Sequence, residues 1–154
     1  MIENIVYTPH FDFFQLTNTS HANMLELNRQ LGVGVGGKLQ VLAQTLLEPI
    51  RSHINSIVVV DCGYRCPVLN KLVNGAVNSQ HLMGEAADIT CPSYDLDTLF
   101  EWIWKTSGLK YGQVINERHN TSHWIHISLG VGYRSIEKCM EALTFDGSSY
   151  IKVN

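Results

Sequence analysis

The clearest pattern along the chain is an apolar stripe between Lys38 and His53, formed by Leu39, Leu42, Ala43, Leu46, Leu47 and Ile50. Positions three and four apart share one face of a helix, so this stretch predicts a helix with that face in the core. Pro49, near its end, has no N–H to donate and predicts a kink. A second helix is expected from Ala22 to Leu31, capped by Thr19 or Ser20, with Leu27 and Leu31 on one face. A third follows a cap at Asp95 or Asp97 and runs to about Ser107, carrying Leu96, Leu99, Phe100, Ile103 and Trp104. Cys66 to Val73, with Pro67 at its start, reads as a short helix.

Other segments lack the helical period. The β-branched run Ile57-Val58-Val59-Val60-Asp61-Cys62 predicts a buried strand. Ala86–Thr90, Gln113–Glu117 and Trp124–Leu129 read as three more, the last two joined by a polar loop from Arg118 to Ser122. A period of two in the last strand puts Trp124, His126 and Ser128 on one side and Ile125 and Ile127 toward the core. Residues 9–20, with Phe11, Phe13 and Phe14, are expected along the surface of the core. Leu143 to Val153 is expected to form a strand pair or an irregular cover. Helices and strands mixed without a βαβ rhythm predict an α+β fold, with helices packed on a small antiparallel sheet.

Composition narrows the class. A chain of 154 residues can bury one core, so 1–154 is read as a single domain. Its 45 % hydrophobic and 16 % charged residues are those of an ordinary globular protein. Net charge is −3 and no basic patch stands out, so neither nucleic acid nor an anionic membrane is an expected partner. No apolar run approaches the ~18–20 residues of a membrane span. Met1 to Tyr7 lacks the pattern of a secretory signal, so the expectation is a monomer, cytoplasmic as synthesised, that leaves the cell only by lysis or a signal-independent route. Gly32, Gly34, Gly36 and Gly37 follow no strand and do not make a phosphate loop. Cys62, Cys66, Cys91 and Cys139 are expected to be reduced and unliganded.

The candidate chemistry sits in Ser79-Gln80-His81-Leu82-Met83-Gly84-Glu85-Ala86-Ala87-Asp88-Ile89 and in Trp124-Ile125-His126-Ile127-Ser128. Two imidazoles and a carboxylate are the ligands of a catalytic zinc with one position open. On an unbroken helix, residues seven apart are displaced by about 10 Å, too far for His81 and Asp88 to share a metal. The chain must fold back between them. Gly84 permits this, and Ala86-Ala87 lets the backbone pack closely before Asp88. His81 is therefore expected on a loop or helix end and Asp88 on the following strand. A carboxylate flanked by Ala87 and Ile89 is costly unless paired or metal-bound.

These segments, preceded by Gly63-Tyr64-Arg65-Cys66-Pro67 and Leu69-Asn70, closely resemble the zinc D-Ala-D-Ala carboxypeptidase family of metallopeptidases. That family shows SGYR, S-x-H-x-x-G-x-A-x-D and W-x-H in this order, and the resemblance covers roughly residues 10–130. The wider superfamily holds phage endolysins, D,D-dipeptidases and the Hedgehog signalling domain, which implies a Hedgehog/DD-peptidase-like fold. The resemblance implies that His81, Asp88 and His126 bind Zn2+. It implies that Arg65 meets a substrate carboxylate or carbonyl oxygen. Ser79 is either a buttress of the site or a turn former. Two residues compete for the general base. His123 stands three positions before His126, where several relatives have Asp or Glu. Glu117 ends a strand, Gln113-Val114-Ile115-Asn116-Glu117, that is similar to the D-Q-L-I-x-E strand of the nearest subfamily. Cys62 replaces the Ser of SGYR, and Asn74 stands in a usual Gly-Gly pair. The implied activity is hydrolysis of a peptidoglycan stem peptide, at D-Ala-D-Ala or at L-Ala-D-Glu, in a bacterial or phage setting. The alternative is a non-catalytic zinc-containing binding module of the same fold.

Overall fold

The computed structural model describes residues 2–154. Strands β1 (Val59–Cys62), β2 (Ala86–Thr90), β3 (Tyr111–His119), β4 (Ser122–Leu129), β5 (Glu141–Phe145) and β6 (Tyr150–Lys152) form one sheet. Their order is β1-β2-β4-β3-β5-β6. The α+β expectation holds, but the sheet is mixed: β3 and β5 are parallel and every other pair is antiparallel. The reason is local. β4 ends at Leu129 beside Tyr111, where β3 begins, and residues 130–140 step around that end to start β5 opposite Gln113.

The long stripe folds as one helical run in three parts. α3 (Val35–Leu42) and α4 (Glu48–Ile54) are joined by a wide π turn at Ala43–Leu47. Pro49 cannot donate to the carbonyl of Thr45, and its ring crowds that carbonyl, so the preceding turn widens. The kink is thus absorbed one turn earlier than the proline, and Leu39, Leu42, Ala43, Leu46, Leu47 and Ile50 all remain in the core.

Three expectations shift. The helix expected over Ala22–Leu31 is only a 3₁₀ turn, Ala22–Met24, followed by α2 (Leu25–Asn28), after a first short helix α1 (Phe13–Leu16). Leu27 is exposed and Asn28 is buried instead. The Asn28 amide donates to the carbonyls of Thr17 and Tyr64, both at 2.9 Å, and accepts from Cys66 N at 2.7 Å. A buried amide with this many partners organises the chain better here than a leucine would. The Phe11–Leu16 segment is not a surface strip: Phe11, Phe13 and Leu16 enter the core, and Asp12 with Gln15 forms a capping box over α1. β1 is an edge strand rather than a buried one, with Val60 inward and Val59 outward.

The remaining elements fall where the pattern puts them. α5 (Pro67–Leu72) carries proline in its first turn, and α6 (Leu96–Lys105) is capped by Asp95, which accepts from Thr98 N at 2.8 Å. The polar loop expected between β3 and β4 is shorter: the strands pair out to His119 and Ser122, and Asn120 turns the chain at φ 53°. The tail is a strand pair. All four cysteines are free. Among the described residues no helix is long and apolar enough to cross a membrane.

The sheet has an apolar face and a chemical one. Ala87, Ile89, Val114, Ile125, Ile127 and Ala142 are buried on the helix-packed face. The opposite parity (Asp88, Glu117, Trp124, His126) opens into a cleft.

Candidate active site

Backbone pairing builds the site from adjacent strands. Asp88 on β2 lies directly opposite His126 on β4, and His126 lies opposite Ile115 on β3. His81 comes from a 3₁₀ turn, Gln80–Met83, capped by Ser79 and closed by Gly84 at φ 69°. That left-handed glycine sends the chain back toward β2, as expected. A Cβ on Gly84 would also meet Val35 Cγ1 at 2.8 Å.

Three donor atoms converge. His126 Nδ1 is 2.9 Å and His81 Nε2 is 3.3 Å from the same oxygen, Asp88 Oδ1. Ligand atoms around a tetrahedral zinc stand about 3–3.5 Å apart, and each histidine–carboxylate contact is close to that spacing. The far nitrogens decide the tautomers. His81 Nδ1 is 2.7 Å from the Gly63 carbonyl, which can only accept, so this nitrogen carries the hydrogen. His126 Nε2 is 3.0 Å from Gln80 Oε1, while the same amide donates from Nε2 to Ser128 Oγ at 2.9 Å. Gln80 therefore presents its oxygen to His126. His81 Nε2 and His126 Nδ1 are thus the ring nitrogens turned toward Asp88, and a bound ion would meet their lone pairs there.

Electrostatics agree. Burial disfavours a charged His81, but the Asp88 carboxylate outweighs it and pushes His81 up to about 10. Burial alone would raise Asp88, yet the charge of His81 and its hydrogen bond hold it below the ordinary carboxylate range. His126 is drawn down, first by its own burial. A proton thus sits where a divalent cation can replace it.

A different trio, Cys62, His81 and Asp88, also has potential ligand atoms within 4.8 Å of one another. Cys62 Sγ, however, lies 3.8 Å from His81 Nδ1, the nitrogen already bonded to Gly63. A metal shared with Cys62 would therefore have to use His81 Nε2, the nitrogen that also faces Asp88 and lies on the same carboxylate oxygen as His126.

The cleft around these donors has a volume of about 690 Å³. Glu117, on β3 opposite Trp124, lines it with Arg65 and Trp124. Burial and the neighbouring Asp88 push the Glu117 carboxyl up to about 7, a range suited to taking and returning a proton. Arg65 Nη2 donates to Ser79 Oγ at 3.0 Å, and Ser79 Oγ also accepts from His81 N at 3.3 Å. Ser79 is thus both turn former and buttress. Arg65 has no carboxylate within 4.0 Å among the described residues, and its Nε is buried without a partner. It is a cation facing the cleft with capacity to spare.

His123 is not brought to this group. It has the parity of Asn116 and Arg118, on the far side of the sheet, where its Nε2 meets Asn116 Oδ1 at 2.5 Å. Asn116 and Arg118 both donate to Asp97. A strand turns odd and even positions apart, so His123 cannot share the cleft with His126. Against the expectation that it could act there as a base, His123 lies outside the cleft, whereas Glu117 lines it.

Several residues escaped the sequence reading. Gln80 orients His126, and the Gly63 carbonyl orients His81. Glu85 lines the cleft but is neutralised by Lys38 Nζ at 2.5 Å. Only the adjacency of Gln80 and Glu85 to the histidine motif hinted at them.

The family comparison bears on the same segment. The model of the family described as Peptidase M15 matches residues 15–128. The chain belongs to the M15 peptidases. This is the zinc D-Ala-D-Ala carboxypeptidase family, which supports a peptidase. No curated protein matches the chain. The matched segment contains Arg65, His81, Asp88, Glu117 and His126, and it stops before β5 and β6.

Proposed function

We propose that this M15 peptidase is a zinc enzyme that hydrolyses peptidoglycan stem peptides, as a D-Ala-D-Ala carboxypeptidase or an L-Ala-D-Glu endopeptidase. One observation carries the reading: His81 Nε2 and His126 Nδ1 converge on Asp88 Oδ1 while their other nitrogens are held by Gly63 and Gln80. His81, Asp88 and His126 would hold the ion. When bound, zinc polarises a scissile carbonyl and lowers the pKa of water to make a nucleophile near neutral pH.

The protein's own groups supply the rest. Glu117 takes a proton from the attacking water and returns it to the departing amine. Arg65 offers a planar, permanently charged fork to a substrate carboxylate or to the carbonyl oxygen as it gains charge. Trp124 gives the cleft an apolar wall against which a peptide can lie. We further propose that the protein works as a monomer and reaches the wall by phage-type lysis or release.

Metal analysis and digestion of muropeptides test the reading together. The wild type should carry one zinc per chain and shorten stem peptides, whereas His81→Ala should lose both properties. Zinc-free wild type that leaves muropeptides intact would exclude it. A binding module of the same fold has no use for a base in the cleft, and the position of Glu117 favours the enzyme.

A further inference from the structure

Arg134 is a second guanidinium in the cleft, and the peptidase chemistry leaves it without a role. Its side chain is only 17 % exposed. It crosses β3 at Gly112, where a Cβ would stand 2.7 Å from Arg134 Cδ, so the glycine leaves it passage. The nearest carboxylate, Glu141 Oε2, is 3.8 Å from Nη2 and already accepts from Gln113 Nε2 at 2.6 Å. Arg134 Nη1 is buried and has no partner. Lys138, exposed on the same wall, has no carboxylate within 4.0 Å among the described residues. The part of the Arg134 guanidinium that reaches the cleft has only the long Glu141 contact, so it can take a second carboxylate from outside.

Sheet order gives the direction. Arg65 follows β1, Arg134 crosses β3 toward β5, and Asp88 and His126 lie on β2 and β4 between them. The two cationic corners flank the converged donors. Arg134 and Lys138 also lie beyond the matched segment 15–128.

We propose that Arg134, with Lys138, forms a carboxylate-binding corner that selects peptides bearing an acidic residue on the opposite side of the scissile bond from the group held by Arg65. The peptide nature of the ligand rests on the peptidase reading; the anion preference rests on the corner itself.

Calorimetric binding to zinc-loaded Glu117→Gln protein tests it, with two stem pentapeptides, each ending in D-Ala-D-Ala, that differ only in glutamate against glutamine. The glutamate peptide should bind about tenfold tighter. In Arg134→Gln that preference should vanish while affinity for the glutamine peptide is unchanged, and Arg134→Lys should restore part of it. Lys138→Gln, at an exposed position, should shrink the preference and serves where Arg134→Gln fails to fold. Equal binding of the two peptides, binding of neither, or a preference that survives both substitutions overturns the proposal. Cleavage by the zinc-loaded wild type is scored separately. A glutamate preference without cleavage leaves the corner standing and removes the peptidase. Cleavage without a preference does the reverse.

Discussion

At the scale of single residues, the site depends on groups that never touch a substrate. Gln80 holds His126 in the tautomer that frees Nδ1, with Ser128 fixing which end of the amide points inward. Replacing it with Ala should weaken zinc binding by about 10–100-fold and leave the fold intact, as read by chelator competition and circular dichroism. Glu117 makes a pH-dependent prediction. Its carboxyl is raised from 4.5 to about 7 by burial and by Asp88. The folded protein therefore holds that proton more tightly than the unfolded chain does. The associated stability is fully present below pH 4.5 and is lost as pH rises toward 7. In metal-free protein, Glu117→Gln should be more stable than wild type at pH 8, by about 1–2 kcal/mol after allowance for partial exposure. The gap should close below pH 4.5. Denaturant titrations at the two pH values measure it. A bound dication draws the same pKa down, so the acid limb of activity should fall below the metal-free value.

At the scale of elements, the site is a meeting of β2, β4, β3 and two turns, and its precision comes from close approaches. Gly63 passes so near α1 that a Cβ there would stand 2.3 Å from the Leu16 carbonyl. Its own carbonyl orients His81. Gly63→Ala should cost about 2–3 kcal/mol of stability and weaken zinc binding as well, whereas an effect on stability alone would separate the two roles. Much of this level was legible in the sequence. The stripe from Leu39 to Ile50 named its helix, and the Gly84 fold-back between His81 and Asp88 was required by distance alone. What was not legible depended on long-range pairing. Asn28 is polar in an apparent helix face because its partners, Thr17 and Tyr64, are carbonyls of other segments. The parallel placement of β5 depends on where β4 ends, which no local pattern states. The role of Gln80 was not legible either, because its partners, His126 and Ser128, lie 46 and 48 positions away.

At the scale of the whole molecule, one sheet separates two tasks. Its helix-packed face is apolar and stabilises the fold, while the other face gathers Asp88, His126 and Glu117 within one cleft and leaves Arg65 and Arg134 on its flanks. Strand parity sorts the residues between these faces, and it sends His123 to the wrong side for catalysis. The converged donors and Glu117 are proposed to make a hydrolytic site. Mass-spectrometric digestion of muropeptides by zinc-loaded wild type and zinc-loaded Glu117→Gln tests it most directly. The account predicts shortened stem peptides with the wild type and a rate lower by about 10²–10⁴-fold in the variant at equal zinc content. Intact muropeptides with zinc-loaded wild type, or equal rates for the two proteins, would contradict it.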